Sequence, residues 1–129
     1  MLENLKVLIA DDQPKVRLAL RVTLERQNGL SIIGEASDAI DMLTQLKSLR
    51  PNVLIMDWEL PGLAGSTLYA LRVILPEATI IALSSRPENQ RLALGFGANG
   101  FVNKSAPAET LLHMMKTLTH WNMQAVPAA

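Results

Sequence analysis

A chain of 129 residues, 49% apolar and 19% charged, is sized for one domain with a real core, which excludes a second folded domain and a disordered polypeptide. Twelve Lys and Arg balance twelve Asp and Glu, so no overall basic field exists to hold nucleic acid or an anionic membrane. Cysteine is absent, and His113 and His120 lack metal-ligand spacing, which removes disulfides, thiolate chemistry and zinc. The first apolar run, residues 7–10, predicts a strand that leads into Asp11 and Asp12. Pro14 then suits the first turn of a helix carrying Val16, Leu20 and Leu24, which Asn28 and Gly29 should end. A second strand at 32–36 precedes Ser37 or Asp38, either of which can cap a second helix. The third strand, 53–56, follows Pro51 and runs into Asp57, with Pro61 and Gly62 punctuating the loop beyond. The fourth, 80–83, follows Pro76 and ends in Ser84 and Ser85. After the glycine-rich residues 95–100, a short fifth strand at 101–102 reaches Asn103 and Lys104, and Leu111, Met114, Met115 and Leu118 mark a last amphipathic helix.

Strand and helix alternate five times, and nearly unbroken apolar strands imply a parallel sheet covered by helices on both faces, an α/β doubly wound fold. No apolar run approaches the ~20 residues that span a bilayer, so a cytoplasmic protein without a membrane partner is expected. Residues 1–123 form the expected domain. The tail 124–129, Gln-Ala-Val-Pro-Ala-Ala, reads equally as the start of a linker or as a frayed terminus.

In such folds functional groups gather beyond the carboxyl ends of the strands, where strand order reverses. Four of the five strands end in reactive side chains: Asp11 and Asp12, Asp57, Ser84 and Ser85, Asn103 and Lys104. A solvated strand end or a helix cap explains any one of them; coincidence at four is a poorer explanation. If the first and third strands are neighbours, three carboxylates converge, each pair costing about 4 kcal/mol at 4 Å with an effective dielectric near 20. Lys104 alone does not neutralise them. Either a carboxylate takes up a proton or a hard divalent cation sits among them. The oxygen-only donor set favours the cation, and Mg²⁺ in such a site leaves room for a phosphate oxygen. A carboxylate beside Mg²⁺ can attack phosphorus, and Asp57, on the central strand, is the best nucleophile, with Lys104 supplying an ammonium. Ser84 could donate to an oxygen of a phosphorylated Asp57; a hydroxyl bonded to local backbone is the alternative, which the context of the other strand ends makes the weaker one. Core packing alone would likewise account for Phe101, and a surface loop for Trp58 and Glu59.

Together these residues resemble the receiver domain of two-component response regulators over residues 5–120. The likeness rests on Asp11-Asp12, on Asp57 followed by Trp-Glu-Leu-Pro-Gly, on Ser84-Ser85 and on Gly100-Phe-Val-Asn-Lys104, in that order. It implies a flavodoxin-like (βα)₅ fold with strand order 2-1-3-4-5. It also implies that Asp57 accepts a phosphoryl group from a histidine kinase or phosphotransfer protein, and that Asp11, Asp12, Asp57 and the backbone carbonyl of Glu59 ligate Mg²⁺ or Mn²⁺. Ser84 and Phe101 would be the switch pair, with Lys104 contacting the phosphoryl group. Fourth helix, fifth strand and fifth helix would form the output face and a possible homodimer contact. Trp58, Ser85 and Arg86 flank the pocket, and Glu59 and Arg86 are expected to pair across it.

Three positions depart from the family pattern: Ser84 where threonine is commoner, Ala64 in place of an acidic residue, and Ser105 where proline is common. None removes a chemical group, though serine lacks the methyl that restricts threonine. Residues 97–112 look like receivers of the LuxR or NarL type, which implies a transcription regulator that touches DNA only through a C-terminal domain absent from this chain. Such a switch is not a turnover enzyme. Two rival readings remain: a degenerate receiver that serves as a phosphorylation-independent docking or dimerisation module, and an aspartyl-phosphate phosphatase. The second fits less well, because that class carries a second acid two residues after a nucleophile on its first strand, whereas Asp11 and Asp12 are adjacent.

Overall fold

A computed structural model describes residues 4–121 and shows strand and helix alternating along the chain: β1 (Leu5–Ala10), α1 (Pro14–Glu25), β2 (Leu30–Ala36), α2 (Ala39–Leu49), β3 (Val53–Asp57), α3 (Gly65–Ile74), β4 (Thr79–Ser84), α4 (Asn89–Gly95), β5 (Gly100–Asn103) and α5 (Ala108–Leu118). The tail at 124–129 lies outside the described residues. All strand pairings are parallel and the sheet order is β2-β1-β3-β4-β5, the doubly wound order expected.

Strand residues alternate between two cores, as the period of two requires. Leu8, Ala10, Leu54, Met56, Ile80 and Ala82 face the layer of α2, α3 and α4, where Met42, Leu46, Leu68, Leu71 and Ala93 are buried. Val7, Ile9, Val53, Ile55, Ile81, Leu83 and Val102 face α1 and α5 through Leu24, Leu111, Leu112 and Met115. Burial on both faces explains why the strands read as continuous apolar runs.

Helix boundaries follow local chemistry. Pro14 opens α1, where its missing N–H costs nothing, and the Asp38 carboxylate caps α2 by accepting the Asp41 N–H at 2.8 Å. Thr67 Oγ1 turns back to accept the Ala64 N–H at 3.0 Å and fixes the start of α3. One boundary differs from expectation: α1 ends at Glu25, before Asn28 and Gly29. Those two residues instead form the turn into β2, with Gly29 at φ +83° beneath the buried Trp121, whose indole N–H donates to the Asn28 carbonyl at 2.9 Å. No helix of the described residues is long and apolar enough to cross a membrane.

Candidate functional site

After β1 the chain crosses to β2 on one side and then to β3 on the other, so the crevice between β1 and β3 opens beyond their carboxyl ends. Asp11 follows β1 and Asp57 closes β3; both are buried, while the neighbouring Asp12 is exposed. Carboxylate oxygens of the three lie within 4.8 Å of one another. Lys104 reaches in from the end of β5, with Nζ 2.9 Å from Asp11 Oδ2 and 3.3 Å from Asp57 Oδ2. Its ammonium also approaches Gln13 Oε1 at 3.5 Å.

Backbone amides hold the carboxylates in place. Asp57 Oδ1 accepts the Glu59 N–H at 2.9 Å, and Asp11 Oδ1 accepts the Gln13 N–H at 2.8 Å. Asp11 Oδ2 is buried and, apart from its ion pair with Lys104, has no hydrogen-bond partner. Burial pushes the Asp57 carboxyl above the usual carboxylate value of 3.8; the Glu59 N–H pulls it down, Asp11 pushes it up and Lys104 opposes again. Burial also works to lower Lys104, but its hydrogen bond to Asp11 and the charges of Asp57 and Asp11 outweigh that and hold it above 10.5. One ammonium thus contacts two of three clustered carboxylates, and it is the sole partner of the buried Asp11 Oδ2. The cluster fits a divalent cation with oxygen preference.

At the end of β4 the buried Ser84 hydroxyl donates to Glu59 Oε1 at 2.9 Å and accepts the Arg86 N–H at 3.0 Å and Asn89 Nδ2 at 3.1 Å. The expected Glu59 to Arg86 ion pair is not among the ion pairs of the described residues. Arg86 is exposed, and the Glu59 carboxylate is taken by the nearer Ser84 hydroxyl. Trp58 anchors the loop after β3 through its N–H, 2.7 Å from the Leu83 carbonyl, and its ring sits 6.1 Å from that of Phe96 at the end of α4.

The chain matches the family described as response regulator receiver domain over residues 7–116. It belongs to that family. The oxygen regulatory protein NreC of Staphylococcus aureus is 29% identical over 118 residues, which are 88% of this chain and 54% of NreC. The chain therefore spans about half the length of the curated relatives it matches. Among solved structures, the signal receiver domain of the response regulator NarL from Mycobacterium tuberculosis superposes with a TM-score of 0.77 at 28% identity, covering 89% of this chain and 98% of that one. RcsB from Salmonella typhimurium gives 0.82 at 27% identity, covering 91% of this chain and 60% of RcsB.

Within this receiver domain, Asp11, Asp12, Asp57 and Lys104 meet in one cluster, and Ser84 and Glu59 meet beside it. Phe101 is half-buried and packs against the core on the α4 side. Ser85 and Arg86 are exposed at the rim. Reading the strand ends overlooked Gln13 and Asn89. Gln13 stood next to Asp12 and was within reach of that reasoning; Asn89 is five residues past Ser84 and carries no motif.

Proposed function

We propose that this receiver domain takes a phosphoryl group onto Asp57 from the phosphohistidine of a histidine kinase or phosphotransfer protein. An Asp57 carboxylate oxygen attacks phosphorus, a P–O bond forms as the P–N bond breaks, and the electron pair leaves on the imidazole nitrogen, which takes a proton from water. The observation that carries this reading is the Lys104 ammonium, 2.9 Å from Asp11 and 3.3 Å from Asp57. It sits where charge on the equatorial oxygens develops. Asp11, Asp12, Asp57 and the Glu59 backbone carbonyl would hold Mg²⁺ or Mn²⁺. When bound, the ion supplies the positive charge that lets a carboxylate approach a phosphoryl group. Lys104 holds Asp57 in place, and the Glu59 N–H orients its other oxygen.

Phosphorylation then alters the face of α4, β5 and α5 through Ser84 and Phe101. That face is the proposed homodimer contact, and Leu94 is exposed on α4 on the flank away from α3. RcsB is described bound to promoter DNA in the presence of the phosphomimetic BeF₃⁻. By extension we infer that the intact regulator controls transcription through a C-terminal DNA-binding domain, with residues 1–123 as its receiver, and acts in the cytoplasm.

Incubation with Mg²⁺ and acetyl phosphate followed by intact-mass measurement tests the reading. The wild type should gain one hydroxylamine-labile phosphoryl group, lost on chelation of Mg²⁺ from the reaction, and Asp57→Asn should gain none. No gain from acetyl phosphate or from a second small phosphodonor would favour a phosphorylation-independent docking module.

A further inference from the structure

A serine hydroxyl has one proton and two lone pairs, and at Ser84 all three are in use. The proton goes to Glu59 Oε1, while the Arg86 N–H and the Asn89 side-chain amide occupy the oxygen. Nothing remains to offer a phosphoryl oxygen on Asp57. We propose that Glu59 is a positioning residue that holds the Ser84 hydroxyl in the unphosphorylated protein, and that a phosphoryl group must take this proton from it. The proposal rests on the phosphorylation reading above.

The two partners differ in what they lose by separating. Ser84 is fully buried, and a buried donor without an acceptor is costly, so its proton is always engaged. Glu59 is exposed, and water replaces the hydroxyl at little cost. Ser84 therefore follows whichever acceptor is available: the Glu59 carboxylate before phosphorylation, a phosphoryl oxygen after it. Glu59 is also bound to the acceptor residue itself, since its N–H donates to Asp57 Oδ1. Asn89 carries the exchange outward, because it is the first residue of α4 and its amide is bonded to the oxygen that turns. The hydroxyl is a junction between the acid cluster and the start of α4.

Calorimetric titration of the full chain with beryllofluoride and Mg²⁺, a reversible stand-in for the phosphoryl group, tests this. Glu59→Ala should bind about fivefold more tightly than wild type, the worth of one hydrogen bond that no longer has to be broken. Glu59→Gln, which keeps an acceptor oxygen, should fall back toward wild type. In a Ser84→Ala background Glu59→Ala should change nothing. An equal gain in both backgrounds, or Gln behaving as Ala, would mean that Glu59 acts by charge on the acid cluster and would overturn the latch; so would no gain at all. Failure of the wild type to bind, with failure of acetyl phosphate labelling, would instead remove the phosphorylation reading and the latch with it. Urea unfolding of each variant separates these outcomes from loss of fold.

Discussion

Asp57 is held at odds with its own charge. Burial raises its folded pKa above the unfolded value, so the folded state binds the proton more tightly. This contribution to stability is therefore present in full below about pH 4 and is lost as pH rises through the folded value. Asp57→Asn should accordingly be more stable than wild type near neutral pH in chelator, with the gap closing as pH falls toward 4. Thermal unfolding across pH checks the sign; a gap that widens toward acid would contradict it. Lys104→Met should do the opposite, leaving two buried carboxylates unpaired at a cost of about 2 kcal/mol, with added Mg²⁺ recovering part of it. The acid cluster was legible in the sequence because each member ends a strand, a position fixed by the element pattern. The Ser84 network was not. Its bonds depend on rotamers and on a loop between β4 and α4 whose course no periodicity encodes, and so Glu59 was assigned to the wrong partner.

Arg72 shows how an element is locked by a charge that has no ion-pair partner among the described residues. From α3 its guanidinium donates to the Ala78 carbonyl at 2.5 Å, the Gly97 carbonyl at 2.9 Å and Asn99 Oδ1 at 2.5 Å, and Asn99 Oδ1 also accepts the Ile80 N–H at 2.8 Å. Burial of the group lowers its pKa. Helix α3 is thereby tied to the turn before β4 and to the loop before β5. Arg72→Met keeps the stem and removes the bonds; it should cost about 2 to 3 kcal/mol in urea unfolding, and Arg72→Lys should recover little because one ammonium lacks the fork. The strands themselves could be read from apolar runs, each within two residues of its observed start. The end of α1 could not, because Arg26 and Gln27 are as compatible with helix as the residues before them, and what stops the helix is the tertiary demand that Gly29 pass under Trp121.

The whole molecule was legible in its class because both-face burial and βα alternation leave few alternatives to a parallel sheet, whereas the order 2-1-3-4-5 required the family likeness. One long-range feature was invisible to either. Trp121 joins the end of α5 to the turn after α1, at the opposite end of the sheet from the acid cluster. Trp121→Ala should cost about 3 kcal/mol yet leave acetyl phosphate labelling of the folded fraction intact. The face of α4, β5 and α5, by contrast, was expected from the likeness. If it is the dimer contact, sedimentation should show association on addition of beryllofluoride and Mg²⁺, and Leu94→Asp should abolish that association without loss of labelling.

Helix α4 is the shortest of the five, seven residues with a single buried side chain, Ala93. So short a helix with so little packing costs little to reshape, which makes it a tunable setting rather than a defect. On the proposed phosphorylation reading, stiffening it, by replacing Gly95 with alanine for instance, would build a sensor that still records the incoming signal chemically but reports it faintly. Gain would then be adjusted at the helix, leaving the detector untouched.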